Sequence, residues 1–196
     1  MKLKIFGTDV YISFLFAATV SIMLATDRTG LILPTLFSVL IHEAGHLFSM
    51  WACGCPPKEI RLIPASVQIV ESFPREKFGV WIILSGPLAN IAVAAALFIN
   101  YYIGGAPMSL KFALLNSVLA AFNLMPVSGL DGGRLLCMAL CRKKDLYSAC
   151  RTVRIITAVL AAAGFIFGVF LLMRGNANVS VFITALYLAV CALIKT

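Results

Sequence analysis

Residues 39–48 read VLIHEAGHLF and hold both histidines of the chain, His42 and His46, with Glu43 between them. Residues four apart lie on one face of an α-helix, so the two imidazole rings can reach a single metal ion. Glu43 directly follows the first histidine, where its carboxylate can accept a proton from water at that ion. The spacing therefore predicts a helix that carries a metal site with an adjacent base.

The sequence around this stretch has the composition of a membrane protein. Hydrophobic residues make up 61% of the 196 residues and charged residues 12%, whereas soluble domains have about 45–50% and about 25%. A membrane-spanning helix needs about 17–25 mostly apolar residues. We therefore predict an all-α polytopic membrane protein, a single domain over residues 1–196, with six transmembrane helices. They are Val10–Ala25, Leu31–Ala52, Phe78–Ile103, Leu110–Met125, Ile155–Met173 and Val179–Ile194.

The distribution of positive charge predicts the orientation of these helices. With the N-terminus inside the cell, thirteen of the 16 Lys and Arg residues fall in cytoplasmic segments, and Arg28, Lys111 and Arg174 fall outside. Loops rich in Lys and Arg stay in the cytoplasm, so both termini are expected in the cytoplasm. The membrane itself is expected to be the plasma membrane of a bacterial cell. The same rule accounts for the net charge of +8, and no nucleic-acid partner is expected.

Three ionisable groups in one turn of a membrane helix need a compensating partner. An acidic group at mid-helix costs about 2.5–3.5 kcal/mol on insertion scales, and a bound dication removes that cost. The pattern HExxH on a helix is typical of zinc proteases, in which the glutamate is the base. The chain has no histidine besides His42 and His46, so the third ligand of a catalytic zinc must be a carboxylate or a thiolate.

Asp131 is the strongest candidate for that third ligand. It lies in NLMPVSGLDGG (123–133), after the fourth predicted span, where Pro126 ends the helix and the glycines let the backbone turn back. A solvated Asp-Gly turn is the alternative interpretation. The cysteines are less suitable as zinc ligands. One residue separates Cys53 from Cys55, whereas about two to four separate the cysteines of a zinc thiolate pair. We therefore expect them to be packed in apolar surroundings or to be reduced thiols.

The loop after the second predicted span alternates polar and apolar residues. Glu59–Leu62 and Ala65–Ile69 both have a period of two, with a proline between them, which favours a short hairpin or a bent strand. An irregular amphipathic loop on the membrane surface is the alternative. If a strand forms, Ala65, Val67 and Ile69 are expected to hold an extended substrate by strand addition.

Three motifs together resemble the site-2 protease family of intramembrane zinc metalloproteases. HEAGH (42–46) lies in one predicted span, GPLAN (86–90) lies in the next, and N-x-x-P-x-x-x-L-D-G (123–132) follows a third. The resemblance runs from about Leu31 to Arg134, which corresponds to the three-helix catalytic core of that family. It is closest to the bacterial branch of stage IV sporulation FB-like proteases. No PDZ or CBS domain is expected.

The resemblance also implies a set of functional residues. The family's zinc ligands and its catalytic base fall on His42, His46, Asp131 and Glu43. Asn90 and Asn123 match family positions that shape the substrate cleft.

The activity that the resemblance implies is hydrolysis of a peptide bond in or near the transmembrane segment of a membrane-anchored protein. The product would be a cytoplasmic fragment, such as a transcription factor freed from its tether. Zn2+ is the expected cofactor, and other membrane proteins are the expected regulators in the lipid bilayer. Two alternatives remain open. A metal transporter would place its ligands along a pathway, and an inactive scaffold that binds helices would have no need of Glu43.

Overall fold

A computed structural model of the chain describes residues 2–5, 8–63, 66–70, 78–143, 145–174, 186 and 189. The chain divides into two compact units, Met1–Phe122 and Asn123–Thr196. Within the described residues, the first unit is built from four helices and a small sheet, and the second contains two further helices.

The helices of the first unit are mostly those that hydrophobicity predicted. They are α1 (Phe14–Thr26), α2 (Ile32–Ala52), α3 (Gly79–Gly104) and α4 (Pro107–Asn123). With 21 and 26 residues, α2 and α3 are long and apolar enough to cross a membrane, and they coincide with the second and third predicted spans. The 17 residues of α4 extend over about 26 Å, close to the hydrocarbon thickness of about 30 Å.

Four short strands form one mixed sheet in the same unit. The strands are β1 (Lys2–Ile5), β2 (Thr8–Ile12), β3 (Glu59–Ile63) and β4 (Ser66–Val70), in the spatial order β1-β2-β3-β4. The β1–β2 and β3–β4 pairs are antiparallel, whereas β2 runs parallel to β3. The predicted hairpin is therefore present, with Arg61 opposite Gln68. Ala65 lies outside the described residues.

The start of the chain differs from the prediction. The first transmembrane helix was expected to begin at Val10, but Val10 and Tyr11 belong to β2, so that boundary is wrong. The helix that follows, α1, has 13 residues and is about 20 Å long, well short of a bilayer core of about 30 Å. The Thr8 hydroxyl donates a hydrogen bond of 3.0 Å to the Pro57 carbonyl, which ties β2 to the segment that follows α2.

Small residues bring α2 and α3 close together. The buried residues of α2 recur at every fourth position, and they are Ser38, His42, His46 and Met50. A Cβ atom on Gly45 would lie 2.6 Å from the Ser85 carbonyl oxygen and 2.9 Å from Ala89 Cβ. Only a glycine fits there, and such small-residue contacts are common between membrane helices.

The second unit contains α5 (Asp131–Cys141) and α6 (Leu146–Met173). The prediction placed α5 in a loop and began the fifth span at Ile155, so the structure adds one helix and lengthens another toward the N-terminus. Asp145 is the N-cap of α6 and accepts a hydrogen bond of 3.0 Å from the Ser148 amide. Hydrogen bonds from Ser148 hold the pKa of the Asp145 carboxyl below its usual range.

The structure confirms a membrane protein but not six spans. Among the described residues, α2, α3 and α6 are the three helices long and apolar enough to cross a bilayer. The sixth predicted span, Val179–Ile194, lies almost wholly outside those residues. Large apolar side chains cover the outer faces of the helices, for example Phe48, Trp81 and Phe167. Such continuous apolar surface marks contact with lipid rather than with water.

Candidate metal centre

The two histidines of α2 face each other on its buried side. His42 and His46 are 5% and 8% exposed, and their Nε2 atoms lie 3.2 Å apart. The rings meet edge to face, with an interplanar angle of 85°. Two nitrogen ligands of a tetrahedral ion, each at the zinc distance of about 2.0–2.1 Å, lie about 3.3–3.4 Å apart. The pair is therefore spaced as two ligands of one such ion.

A backbone carbonyl of α3 fixes the orientation of the second ring. His46 Nδ1 lies 2.7 Å from the Ile82 carbonyl oxygen. A carbonyl can only accept, so Nδ1 carries the proton and Nε2 is the unprotonated nitrogen of the neutral ring. Metal-binding histidines commonly donate their other N–H in this way, which orients the ring and raises its basicity. The His46 ring is therefore already oriented to bind a metal ion through Nε2.

Gly86 makes room for that ring. This residue is the glycine of the GPLAN motif, and a Cβ atom placed on it would overlap Nε2 and other atoms of the His46 imidazole. The glycine is one helical turn after Ile82. The same face of α3 therefore accepts the hydrogen bond from His46 Nδ1 and leaves space for the His46 ring. The space that the His46 ring needs therefore explains why the first residue of the GPLAN motif is a glycine.

We predict that Gly86→Ala abolishes metal binding, because the added methyl group displaces the His46 ring. Gly104→Ala is the matched control on the same helix, since a Cβ atom there meets nothing closer than Asn100 Oδ1 at 4.0 Å. Metal content of the two purified variants checks the prediction. Full metal content in Gly86→Ala would show that the ring does not need this space.

Glu43 is the next residue after His42 on α2 and is half-buried. A rotation of about 100° per residue places it beside the histidine face rather than on it. It is one of six acidic residues among the described parts of the chain, of which four serve other purposes. Asp9 pairs with Lys2 at 3.1 Å, Glu59 pairs with Arg61 at 2.5 Å, Asp27 caps a turn, and Asp145 caps α6.

Asp131 is the only acidic residue in the described part of the chain that is buried, with 7% exposure. It is the first residue of α5. The turn before it is tight, because a Cβ atom on Gly132 would overlap the Leu124 carbonyl and one on Gly133 would overlap the Val127 carbonyl. The two glycines of the LDGG segment thus permit a fold in which this carboxylate is withdrawn from solvent.

Asn90 lies inside the first unit rather than on an open surface. It is fully buried, and its Nδ2 donates to the Ser38 carbonyl at 3.2 Å and to Asn116 Oδ1 at 3.1 Å. Asn116 is also fully buried on α4 and was not predicted as a functional residue. Together they connect α2, α3 and α4 one turn before His42. A lone asparagine in an apolar helix gave no signal for this contact.

The remaining predicted substrate-binding residues lie elsewhere. Asn123 is the last residue of α4 and is half-buried. Val67 and Ile69 lie in β4, which is an edge strand of the sheet.

Cys53 and Cys55 are free thiols at the end of α2, and Cys55 Sγ lies 3.6 Å from the Cys53 carbonyl.

Comparison with known proteins identifies the fold. No family model matches the chain. A curated protein described as a zinc metalloprotease from Methanocaldococcus jannaschii is 29% identical over 181 residues, which cover 84% of this chain and 52% of that protein. The solved structure of a site-2 protease from the same organism has a TM-score of 0.74 at 22% identity, covering 100% of this chain and 97% of that one. The chain has the site-2 protease fold.

The resemblance to site-2 proteases that the motifs predicted is therefore confirmed. The chain spans about half the length of the curated relative that it matches. Neither comparison tests the assignment to the sporulation branch, which stays a prediction. In the site-2 protease fold, the HEAGH and GPLAN motifs of this chain occupy α2 and α3.

Proposed function

We propose that this chain is an intramembrane zinc metalloprotease in which His42, His46 and Asp131 bind the metal and Glu43 is the base. The observation that carries the proposal is the separation of 3.2 Å between the two Nε2 atoms. All three proposed ligands are buried and are of types that bind zinc. The similarity to a relative described as a zinc metalloprotease supports zinc over other divalent ions.

Asp131 is proposed as third ligand because of its burial and its charge. A buried carboxylate is costly unless a cation is near it, and the other described acids have roles on the surface or beside the histidines. With neutral imidazoles, a divalent cation balances the charges of Asp131 and Glu43, which lowers the cost of placing both in an apolar protein. The chemistry of the donor set therefore fits zinc.

Each residue of the proposed site has a distinct role in peptide-bond hydrolysis. Zinc in such a site supplies Lewis-acid chemistry, polarising a peptide carbonyl and lowering the pKa of water to about 7. Glu43 accepts the proton of the attacking water and then donates it to the leaving amine nitrogen. His46 keeps its orientation through the Ile82 carbonyl. Asn90 holds α2 one turn before His42 and thus keeps the two histidines in register with α3.

A transmembrane substrate must be unwound before it can be cut, because all its backbone groups are bonded within its own helix. An exposed strand edge can pair with the extended segment that results. We propose β4 for this purpose, with Val67 and Ile69 on the strand that receives the substrate; Ala65, also predicted to take part, lies outside the described residues. The position of β4 at the end of the strand order supports the assignment.

Proline at Val67 or at Gln68 is expected to reduce cleavage while zinc content stays normal. Proline removes a backbone N–H, and of two adjacent N–H groups on an edge strand one points away from the sheet. The alanine variants at the same positions keep both groups and serve as controls. Cleavage by both proline variants at the rate of the alanine variants would exclude β4 as the docking edge.

The proposed cut lies toward the cytoplasmic side of the membrane. His42 and His46 lie about 15 and 21 Å along α2 from Ile32, so in a core of about 30 Å His42 is at the midpoint and His46 is beyond it. The positive charges predict that α2 ends inside the cell, and the parallel pairing of β2 with β3 supports one common side for the N-terminus and the segment after α2. We therefore propose that the released product is the cytoplasmic part of a membrane-anchored protein in the plasma membrane of a bacterial cell.

A reconstituted cleavage assay tests this function. The purified chain is placed in vesicles with a panel of single-span proteins that carry a cytoplasmic reporter, and the product ends are sequenced. We expect a cut within or beside the transmembrane segment, loss of cleavage after zinc is removed by chelation, and recovery when zinc is restored. Unchanged cleavage by protein shown to be free of metal would exclude a zinc mechanism, and a cut near the outer end would exclude the orientation.

A further inference from the structure

Three cysteines gather where α5 meets α6 in the second unit. Cys137 and Cys141 are four residues apart on α5, and Cys150 lies near the start of α6. The Sγ atoms of Cys137 and Cys150 are 3.0 Å apart and share a hydrogen bond. Both residues are half-buried, whereas Cys141 is exposed. The proposed metal centre uses none of these thiols.

We propose that Cys137 and Cys150 are a reversible oxidation site, at which a disulfide bond joins α5 to α6. A disulfide has a sulfur–sulfur length of about 2.05 Å, so the two sulfur atoms need to approach by only about 1 Å. Small rotations about the side-chain bonds of two cysteines already in contact provide a movement of this size. The two helices pack against each other.

Cys141 is the less suitable partner for Cys137. Side chains four apart on one helix have Cβ atoms about 5–6 Å apart, whereas a disulfide needs about 3.5–4.5 Å between them. Cys150 approaches from a second helix and is free of that restriction. The geometry therefore selects one of the two neighbours of Cys137.

The oxidant that fits the site is a small-molecule disulfide. Burial, with help from the neighbouring thiols, raises the pKa of Cys137 to about 12, so Cys137 keeps its proton at neutral pH and Cys150 attacks first. Cys150 loses its proton to solvent and its sulfur bonds to one sulfur of the small molecule, whose own disulfide breaks and releases a thiolate. That thiolate takes the proton of Cys137, whose sulfur then attacks Cys150 Sγ and displaces the second small-molecule thiolate, which takes up a proton from solvent. Two cysteines are oxidised and one disulfide is reduced to two thiols.

The bond would restrain the helix that carries Asp131. Cys137 follows Asp131 by six residues on α5, a distance of about 9 Å along the helix. Joining α5 to α6 at this point limits the movement of α5 and hence of its first residue. The consequence for zinc rests on the proposed function, whereas formation of the bond does not.

Peptide mapping tests the site in the full-length protein in detergent micelles. The protein is equilibrated with oxidised and reduced glutathione at graded ratios, its remaining thiols are alkylated, and it is cut with trypsin. Cys137 and Cys141 then lie in the peptide 135–142, and Cys150 lies in the peptide 145–151. We expect these peptides to be joined in oxidising buffer and separated by dithiothreitol.

Single variants identify the partners. Cys141→Ser should keep the joined peptide, and Cys137→Ser and Cys150→Ser should each lose it. No joined peptide in the folded wild type at any ratio, or its loss in Cys141→Ser, would overturn the proposal. Because the readout is a covalent link, it does not depend on protease activity.

A second measurement tests the link to the metal centre. The rate at which zinc passes to a chelator is compared between oxidised wild type and Cys150→Ser treated in the same way. We expect slower release from the disulfide form. Equal rates would overturn the coupling to Asp131 and leave the disulfide in place. Absence of zinc from both proteins would instead count against the proposed function.

Discussion

Replacing Glu43 with glutamine is expected to reduce peptide-bond hydrolysis by about 10²–10⁴-fold, the contribution that a general acid–base group typically makes. Zinc content and fold should be unchanged, because the substitution removes a base and not a ligand. Glutamine has nearly the shape of glutamate and keeps a carbonyl oxygen, but it cannot accept the proton of the attacking water. The measurement is the rate of reporter cleavage, normalised to the zinc content of each sample.

Asp27→Asn is the matched control for this variant. It makes the same change from acid to amide in the turn between α1 and α2, where Asp27 Oδ1 accepts hydrogen bonds from the Thr29 and Gly30 amides. Asparagine keeps these bonds through its Oδ1 and loses the bond of 3.0 Å that the Ile32 amide donates to Asp27 Oδ2. This loss lies at the start of α2, ten residues before His42, so cleavage should stay close to the wild-type rate. Cleavage by Glu43→Gln at that rate would exclude Glu43 as the base, and a variant without zinc would show that Glu43 supports the metal site instead.

Asp131→Ala is expected to lose both zinc and cleavage. A catalytic zinc usually has three protein ligands, and the chain offers no third histidine. Without the carboxylate, zinc retains two imidazole ligands from the chain and dissociates during purification. Metal analysis of the purified variant gives the primary readout, and the cleavage rate gives the second.

Asp145→Asn is the control for the second variant. Asp145 lies in the connection between α5 and α6, where it caps α6, and asparagine caps helices as well as aspartate does. Zinc content and cleavage should therefore match the wild type. If Asp131→Ala kept its zinc while Asp145→Asn lost it, the third ligand would be misassigned.

The sequence was most informative where polar chemistry interrupted apolar segments. Ionisable groups are costly inside a bilayer, so HEAGH stood out as a metal-site motif, and the burial and spacing of His42 and His46 agree with that interpretation. Asp131 was selected by its place after a helix and by the shortage of ligands. The structure shows this residue to be buried, but its role as ligand stays a prediction.

The sequence was least informative about β1 and β2. Val10, Tyr11 and Ile12 of β2 precede the apolar helix α1 with only Ser13 between them, so hydrophobicity alone assigned them to the first span. Strand pairing decides their conformation, and their partner β3 lies nearly fifty residues later in the chain. Periodicity within one segment carries no information about such a distant partner.

Buried side-chain contacts between helices were also outside the reach of the sequence. Asn116 and the Cys137–Cys150 pair lie in segments whose composition is ordinary for apolar helices. Their partners become evident only when the helices are packed, because the interaction depends on which faces meet. The glycine of GPLAN shows the same limit, since its contact with His46 explains a motif that the sequence could only match.

X-ray absorption at the zinc edge tests the metal centre most directly. The measurement uses the zinc-loaded wild type in detergent micelles and reports the elements that surround the metal and their distances. Two histidines and one carboxylate predict a first shell of nitrogen and oxygen at about 2.0–2.2 Å, with the outer scattering of two imidazole rings. A sulfur shell at about 2.3 Å would assign the third ligand to a cysteine, and scattering from fewer than two imidazoles would contradict the proposed histidine pair.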